Sequence, residues 1–161
     1  MNTLMDILVV DDSANDTFLL EQAFKKAAAP SRLHAAQDGI EARAYLKGEG
    51  EFSDRAVHPF PDIVLLDLNM PRMNGFEFLE WLRDDPECEC LVVYVLSASA
   101  RDGDVQRAYE LGANSYVVKP SRMDELVSFV AALHQWHRFT VLPTHRYVPA
   151  ENQARAPLEA Q

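Results

Sequence analysis

The chain is poor in cysteine: two residues in 161, both in the stretch Cys88-Glu89-Cys90. A reduced, free pair is the expected state. No further Cys or His cluster stands beside them at metal-ligand spacing, which argues against a zinc site. Long apolar runs are also lacking. None approaches the ~20 residues of a membrane span, and the N-terminus lacks the basic start and apolar centre of a secretory signal. A cytoplasmic protein is expected. Positive charge is in deficit, with 15 Lys and Arg against 25 Asp and Glu and a formal net charge of −10. Nucleic-acid affinity rests on phosphate neutralisation by Lys and Arg, so this balance argues against a nucleic-acid partner and against an anionic membrane surface. The surface carboxylates read as solubilising. There are no internal repeats, and the length suits one domain with a sizeable core.

What is present is a set of short apolar runs, each ending in a polar group. Ile7-Leu8-Val9-Val10 leads into Asp11-Asp12, and Ile63-Val64-Leu65-Leu66 into Asp67. The run from Leu91 to Leu96 leads into Ser97, and Tyr116-Val117-Val118 into Lys119-Pro120. Such runs read as strands buried on both faces of a parallel sheet. Ligands of these sheets bind at the carboxyl ends of the strands, so three carboxylates, a hydroxyl and an ammonium should meet on one edge.

Strands and helices alternate along the chain. Strands are predicted at 6–10, 32–36 (a weak pattern), 62–66, 91–96 and 115–118. The first helix places Leu20, Ala23, Phe24 and Ala27 on one face and ends at Pro30-Ser31. A short helix at 42–46 follows Asp38-Gly39. Residues 47–61, with Gly48, Gly50, Pro59 and Pro61, form a longer connection than such a unit needs. The helix from about Asn74 buries Gly75, Phe78, Leu79 and Leu82 and stops at Asp85-Pro86, with Phe76 and Trp81 off its core face. A fourth helix at 102–111 is capped by Gly112. The last opens on Ser121-Arg122-Met123-Asp124, a capping-box-like signal, and carries Leu126, Phe129, Val130, Leu133 and Trp136. His134 and His137 have no acid or Cys partner and read as surface or interface residues.

The edge cluster has a chemical logic. Crowded carboxylates repel, and both like charge and desolvation raise their pKa values. A hard divalent cation removes the conflict, and Mg2+ prefers oxygen ligands. A metal held by carboxylates calls for a phosphate, to which Lys119 offers a charge and Ser97 a hydroxyl. A carboxylate can itself be the nucleophile and carry an aspartyl-phosphate.

In order and spacing these residues resemble the receiver domain of two-component response regulators. Asp67 and Ser97 stand 30 residues apart, Ser97 and Lys119 22 apart. The flanks Leu66-Asp67-Leu68-Asn69-Met70-Pro71, Asn74-Gly75 and Leu111-Gly112-Ala113 match too. Each motif alone is weak; all of them in sequence are specific. The resemblance, from about residue 6 to about 136, implies a flavodoxin-like (CheY-like) α/β fold. This is a five-stranded parallel doubly wound sheet in the order 2-1-3-4-5 over residues 1–143, with 144–161 expected to be a disordered tail.

The resemblance also implies roles. Asp67 is the phosphoacceptor and Mg2+ the cofactor, bound by Asp12 directly, by Asp11 through water or as a supporting partner, by Asp67, and by the backbone carbonyl of Asn69. The competing reading of Asp11-Asp12 is a loop with N-cap acids, since Ser13, Asn15 and Asp16 follow. Ser97, the Ala98 backbone amide and Lys119 bind the phosphoryl group. Ser97 stands where Thr is more frequent and is less restricted at χ1, which loosens a switch without abolishing it. Lys119 is expected to pair with Asp67 when no phosphoryl group is there. Tyr116 matches a switch aromatic whose ring turns inward as the Ser97 hydroxyl moves toward the phosphate. The Lys119-Pro120 bond is implied to be cis.

The function implied is that of a stand-alone regulator phosphorylated by a sensor histidine kinase. It is not expected to act as an enzyme beyond its own phosphorylation and dephosphorylation. The ~20 residues after the last helix are too few for a DNA-binding domain, so output is expected through protein contacts, a phosphorelay step or self-association. The apolar stripe of the last helix, with Phe139, Val141 and Leu142, suits a homodimer through that helix and residues 136–142; the other reading folds it back onto the core. Gly50-Glu51-Phe52-Ser53 and the aromatic segment 136–143 resemble the single-domain regulators that serve bacterial phytochromes, which implies a phytochrome as the kinase. The alternative is a Mg2+-dependent phosphatase or phosphotransferase with an aspartyl-phosphate intermediate. Those resemble an Asp-x-Asp motif after strand one, which Asp11-Asp12-Ser13 lacks.

Overall fold

The computed structural model describes residues 4–144; most of the expected tail, 145–161, lies outside them. Five strands alternate with five helices: β1 (Met5–Val10), α1 (Ala14–Lys26), β2 (Ser31–Ala36), α2 (Gly39–Lys47), β3 (Ile63–Leu66), α3 (Gly75–Asp84), β4 (Val92–Ser97), α4 (Asp102–Glu110), β5 (Ser115–Val118) and α5 (Met123–His137). All strand pairs are parallel, in the order β2-β1-β3-β4-β5. No described helix is long and apolar enough to cross a membrane.

The two-residue period of a strand divides the core. Leu8, Val10, Val64, Leu66, Val93 and Val95 face one way and pack with Tyr45 and Leu46 of α2 and Phe78, Leu79 and Leu82 of α3. Ile7, Val9, Ile63 and Leu65 face the other way, onto Leu20 and Phe24 of α1 and Leu126, Val130 and Leu133 of α5. Each fully buried Leu or Val contributes about 1.5–3 kcal/mol, and this holds the strand ends where the polar residues emerge.

Helix starts follow local chemistry. Ser13 caps α1 by accepting the Asp16 N–H, Asp38 caps α2, and Asn74 with Glu77 forms a full capping box on α3. The capping-box expectation for α5 is not met: the helix begins at Met123, its cap Arg122 makes no side-chain cap bond, and the Asp124 carboxylate is taken by the Arg122 guanidinium. Gly112, just past α4, has φ +94°, which a glycine adopts without strain. Phe76, expected off the core face, is buried: it joins the core cluster on the α2–α3 side of the sheet, and Arg107 of α4 lays its guanidinium 4.3 Å from the ring centre. In the long connection a 3-10 turn, Gly50–Phe52, folds Phe52 inward against Tyr45 and His58. On α5, Trp136 is exposed, as are Phe139 and Val141 beyond it, whereas Leu142 packs on the core. His137 lies against the Tyr94 hydroxyl rather than in a metal-binding group.

Candidate functional site

The sheet ladder runs one residue past the strand ends and delivers the polar groups. The Asp11 N–H donates to the Ala36 carbonyl at 3.0 Å, Asp67 to Val10 at 2.9 Å and Lys119 to Ser97 at 2.7 Å. Each of these residues is thus tied to the neighbouring strand, and β1, β3, β4 and β5 present the polar groups along one edge.

Asp67 lies at the centre. The residue is only 8% exposed, and a carboxylate oxygen of Asp11, Asp12 and Asp67 can each be chosen so that all lie within 4.8 Å of one another. Asp12 is exposed, whereas the Asp11 side chain is nearly enclosed. Burial pushes the Asp67 carboxyl up to about 6; Lys119 works against the shift, Asp11 adds to it, and the backbone amides of Leu68 and Asn69 oppose it. One of those bonds is 2.9 Å, from the Leu68 N–H to Oδ1. Three hard oxygen donors crowded at one point fit a hard divalent cation, which would supply the positive charge the cluster is short of. The exposed Asn69 leads away from Asp67 at the same edge.

Lys119 departs from expectation. Its Nζ donates to Asp11 Oδ2 at 2.8 Å and to Asp16 Oδ2 at 2.9 Å, and Asp67 is felt only as a nearby charge. Burial alone would lower the Lys119 pKa, but the bonds to Asp11 and Asp16 outweigh it and raise the value. The stem crosses toward β1 and the first turn of α1, where two carboxylates offer direct bonds. Asp16 is the residue the sequence reading missed as a site member, having weighed it only as an N-cap acid. Its signal was its place in the first helical turn after the acidic pair.

The Lys119–Pro120 bond is trans, not cis as the resemblance implied, and no cis bond occurs among the described residues. Trans is the lower-energy X-Pro isomer, and Lys119 reaches both its carboxylate partners from the trans chain. Ser97 is fully buried, its Oγ accepting the Ser99 N–H at 3.2 Å, while Ala98 is exposed beside it. The Ser99 hydroxyl donates to Asp104 and holds the Asp104 carboxyl below the usual range, which ties this loop to α4. Tyr116 is half-buried, its hydroxyl donating to the Ser99 carbonyl at 2.8 Å and its N–H to the Tyr109 hydroxyl at 3.0 Å.

The loop after Asp67 is clamped from two sides. A Cβ on Gly75 would collide with the Asp67 carbonyl oxygen and lie 2.8 Å from Leu68 Cα; only glycine lets α3 start this close. On the other side Arg72, in the left-handed region at φ +64°, pairs with the buried Asp38 that caps α2.

Fold and site together define a receiver: the chain belongs to the response regulator receiver domain family, whose pattern matches residues 7–131. Among its relatives is the response regulator Rcp1 of Synechocystis sp., 33% identical over 138 residues, covering 85% of this chain and 92% of that protein. Rcp1 solved in its Mn2+-bound form matches with a TM-score of 0.76 and 32% identity over 87% of this chain and 99% of that one. Response regulator RPA3017, in red light signaling of R. palustris, matches with a TM-score of 0.83 and 37% identity over 88% and 99% of the two chains. The phosphorylated cyanobacterial phytochrome response regulator RcpA matches at 0.79 and 32% over 88% and 100%. Membership in this family does not favour the phosphatase alternative.

Proposed function

We propose that the chain is a cytoplasmic, single-domain response regulator that accepts a phosphoryl group on Asp67 from a sensor histidine kinase of the phytochrome kind. The observation that carries this is the buried Asp67 carboxylate at the carboxyl end of β3, crowded by Asp11 and Asp12. In the transfer, an Asp67 carboxylate oxygen attacks the phosphorus of a phosphohistidine. A new O–P bond forms, the N–P bond breaks, and the imidazole leaves with the electron pair. Mg2+, when bound, neutralises charge on the phosphoryl oxygens. Asp11, Asp12, Asp67 and the Asn69 carbonyl would hold it. The remaining work is positioning and charge. Lys119 supplies an ammonium to one phosphoryl oxygen, and the Ser97 hydroxyl and Ala98 amide donate to another. Movement of Ser97 then alters the loop to which Tyr116 is hydrogen-bonded through the Ser99 carbonyl. The phytochrome assignment is supported by the likeness to RPA3017, a response regulator in red light signaling, and to RcpA, a phytochrome response regulator.

Intact-mass spectrometry after incubation with acetyl phosphate tests the acceptor. One added phosphoryl group is expected with Mg2+, and none without it or in Asp67→Asn; an addition that survives in Asp67→Asn would place the acceptor elsewhere.

Output is proposed to run through a homodimer that covers Trp136, Phe139 and Val141, which stand exposed at the end of the chain's described part. Isolated exposed apolar residues need no partner; what supports a shared surface is that three of them fall within six residues at and just past the end of α5. Sedimentation velocity checks this: a concentration-dependent dimer is expected, weakened in Trp136→Ser, and a monomer at all concentrations would rule it out.

A further inference from the structure

Lys119 has two carboxylate partners in this structure, and neither is the proposed phosphoacceptor. We propose that Asp16 is a positioning residue that latches the Lys119 ammonium in the resting state, so that binding of a phosphoryl group must draw Lys119 off Asp16. This rests on the reading of Asp67 as phosphoacceptor.

The two partners are not equivalent. Asp11 sits in the carboxylate cluster with Asp12 and Asp67, and its other oxygen accepts the Ser13 N–H at 2.9 Å. A cation held by that cluster competes for the same carboxylate. Asp16 lies outside the cluster, in the first turn of α1, where the positive end of the helix favours a carboxylate. It is held in place through its own N–H, which donates to Ser13 Oγ at 3.1 Å. With a cation at the cluster, Asp16 becomes the carboxylate most free to keep Lys119.

Exposure makes Asp16 suited to letting go. Its side chain is 36% exposed against 8% for Asp11. On losing Lys119, Asp16 can be resolvated by water, whereas Asp11 would be left desolvated. The Lys119–Asp16 pair therefore stabilises the resting position modestly, in the range of a partly exposed ion pair. A ligand that needs Lys119 elsewhere is weakened by that factor, because only its preference between the two positions counts.

The test is binding of beryllofluoride, a phosphoryl mimic whose beryllium bonds reversibly to a carboxylate oxygen with no phosphoryl donor involved, followed by 19F NMR at saturating Mg2+. Asp16→Asn keeps the size of the side chain and the backbone N–H to Ser13. It is expected to bind beryllofluoride about two- to fivefold more tightly than wild type. Removing any negative charge near an anion site would also tighten binding, so the comparison is repeated in a Lys119→Ala background. There the Asp16→Asn gain should vanish if Asp16 acts through Lys119. Thermal unfolding of each variant checks that it is folded. Equal or weaker binding by Asp16→Asn overturns the latch, as does a gain of the same size without Lys119. If wild type itself binds no beryllofluoride with Mg2+, the phosphoacceptor reading fails and takes the latch with it.

Discussion

Two buried aspartates sit at opposite ends of the same parallel sheet and have opposite fates. Asp6, at the start of β1, is 7% exposed; Asp67, past the end of β3, is 8% exposed. The Asp6 carboxylate is met by the Arg32 guanidinium through two bonds, of 2.9 and 2.7 Å, and by His34 Nε2 at 2.9 Å. The Asp67 carboxylate has backbone amides from the residues just after it, two acidic neighbours, and a lysine that bonds elsewhere. Equal burial thus says little about role. Asp6 is a charge whose partners are supplied by the adjacent edge strand, which makes it part of the fold. Asp67 is a charge the protein leaves short of partners, as the proposed cation and phosphoryl group require.

The sharpest way to break this comparison is through pH. The Asp67 carboxyl titrates at about 6 when folded against a reference of 3.8. Because the folded value is raised, the folded state holds the proton more tightly. Its contribution is fully favourable below about pH 4 and is lost as pH rises through about 6. At pH 7 the cost is about 2–3 kcal/mol. Asp67→Asn lacks this term, so without divalent cations it should be more stable than wild type at pH 7, with the gap closing toward pH 4. Urea denaturation across that range checks it; parallel curves for the two proteins would mean that Asp67 is not strained in the resting fold.

At the other end the sign reverses. Asp6→Ala leaves His34 and Arg32 without their carboxylate and should cost about 2 kcal/mol, read in the same denaturation experiment. Its beryllofluoride affinity should stay within twofold of wild type, since the two sites lie at opposite ends of β1. A loss of binding as large as the loss of stability would show that the two ends are coupled.

The smallest effect expected is from Gly75→Ala. The new methyl meets rigid backbone at Asp67 and Leu68, so α3 or the loop must give way at about 1–2 kcal/mol. Unlike Asp6→Ala, it should weaken beryllofluoride binding as well. Unchanged binding would mean that the Asp67 loop does not depend on the start of α3.

The strands were legible because strands buried on both faces leave continuous apolar runs, and the switch from Leu66 to Asp67 or Val10 to Asp11 marks where burial stops. β2 was the weakest prediction for the matching reason: it is an edge strand, and Ser31–Ala36 is only partly buried. The candidate site was legible as a set of residue types at strand ends. Their pairing was not. Nothing in the order of residues shows that Lys119 bonds Asp11 and Asp16 across more than 100 positions, nor that Arg107 closes over Phe76.

The sequence by itself determined the alternation of strands and helices, the side of the sheet on which the carboxylates gather, and their proximity. Hydrophobic period and chain direction are local properties that a parallel sheet converts directly into position. Tertiary structure alone decided which charges are satisfied and which are left wanting. Partner choice depends on distances and desolvation between elements far apart in the chain, and the difference between Asp6 and Asp67 exists only once the sheet is built.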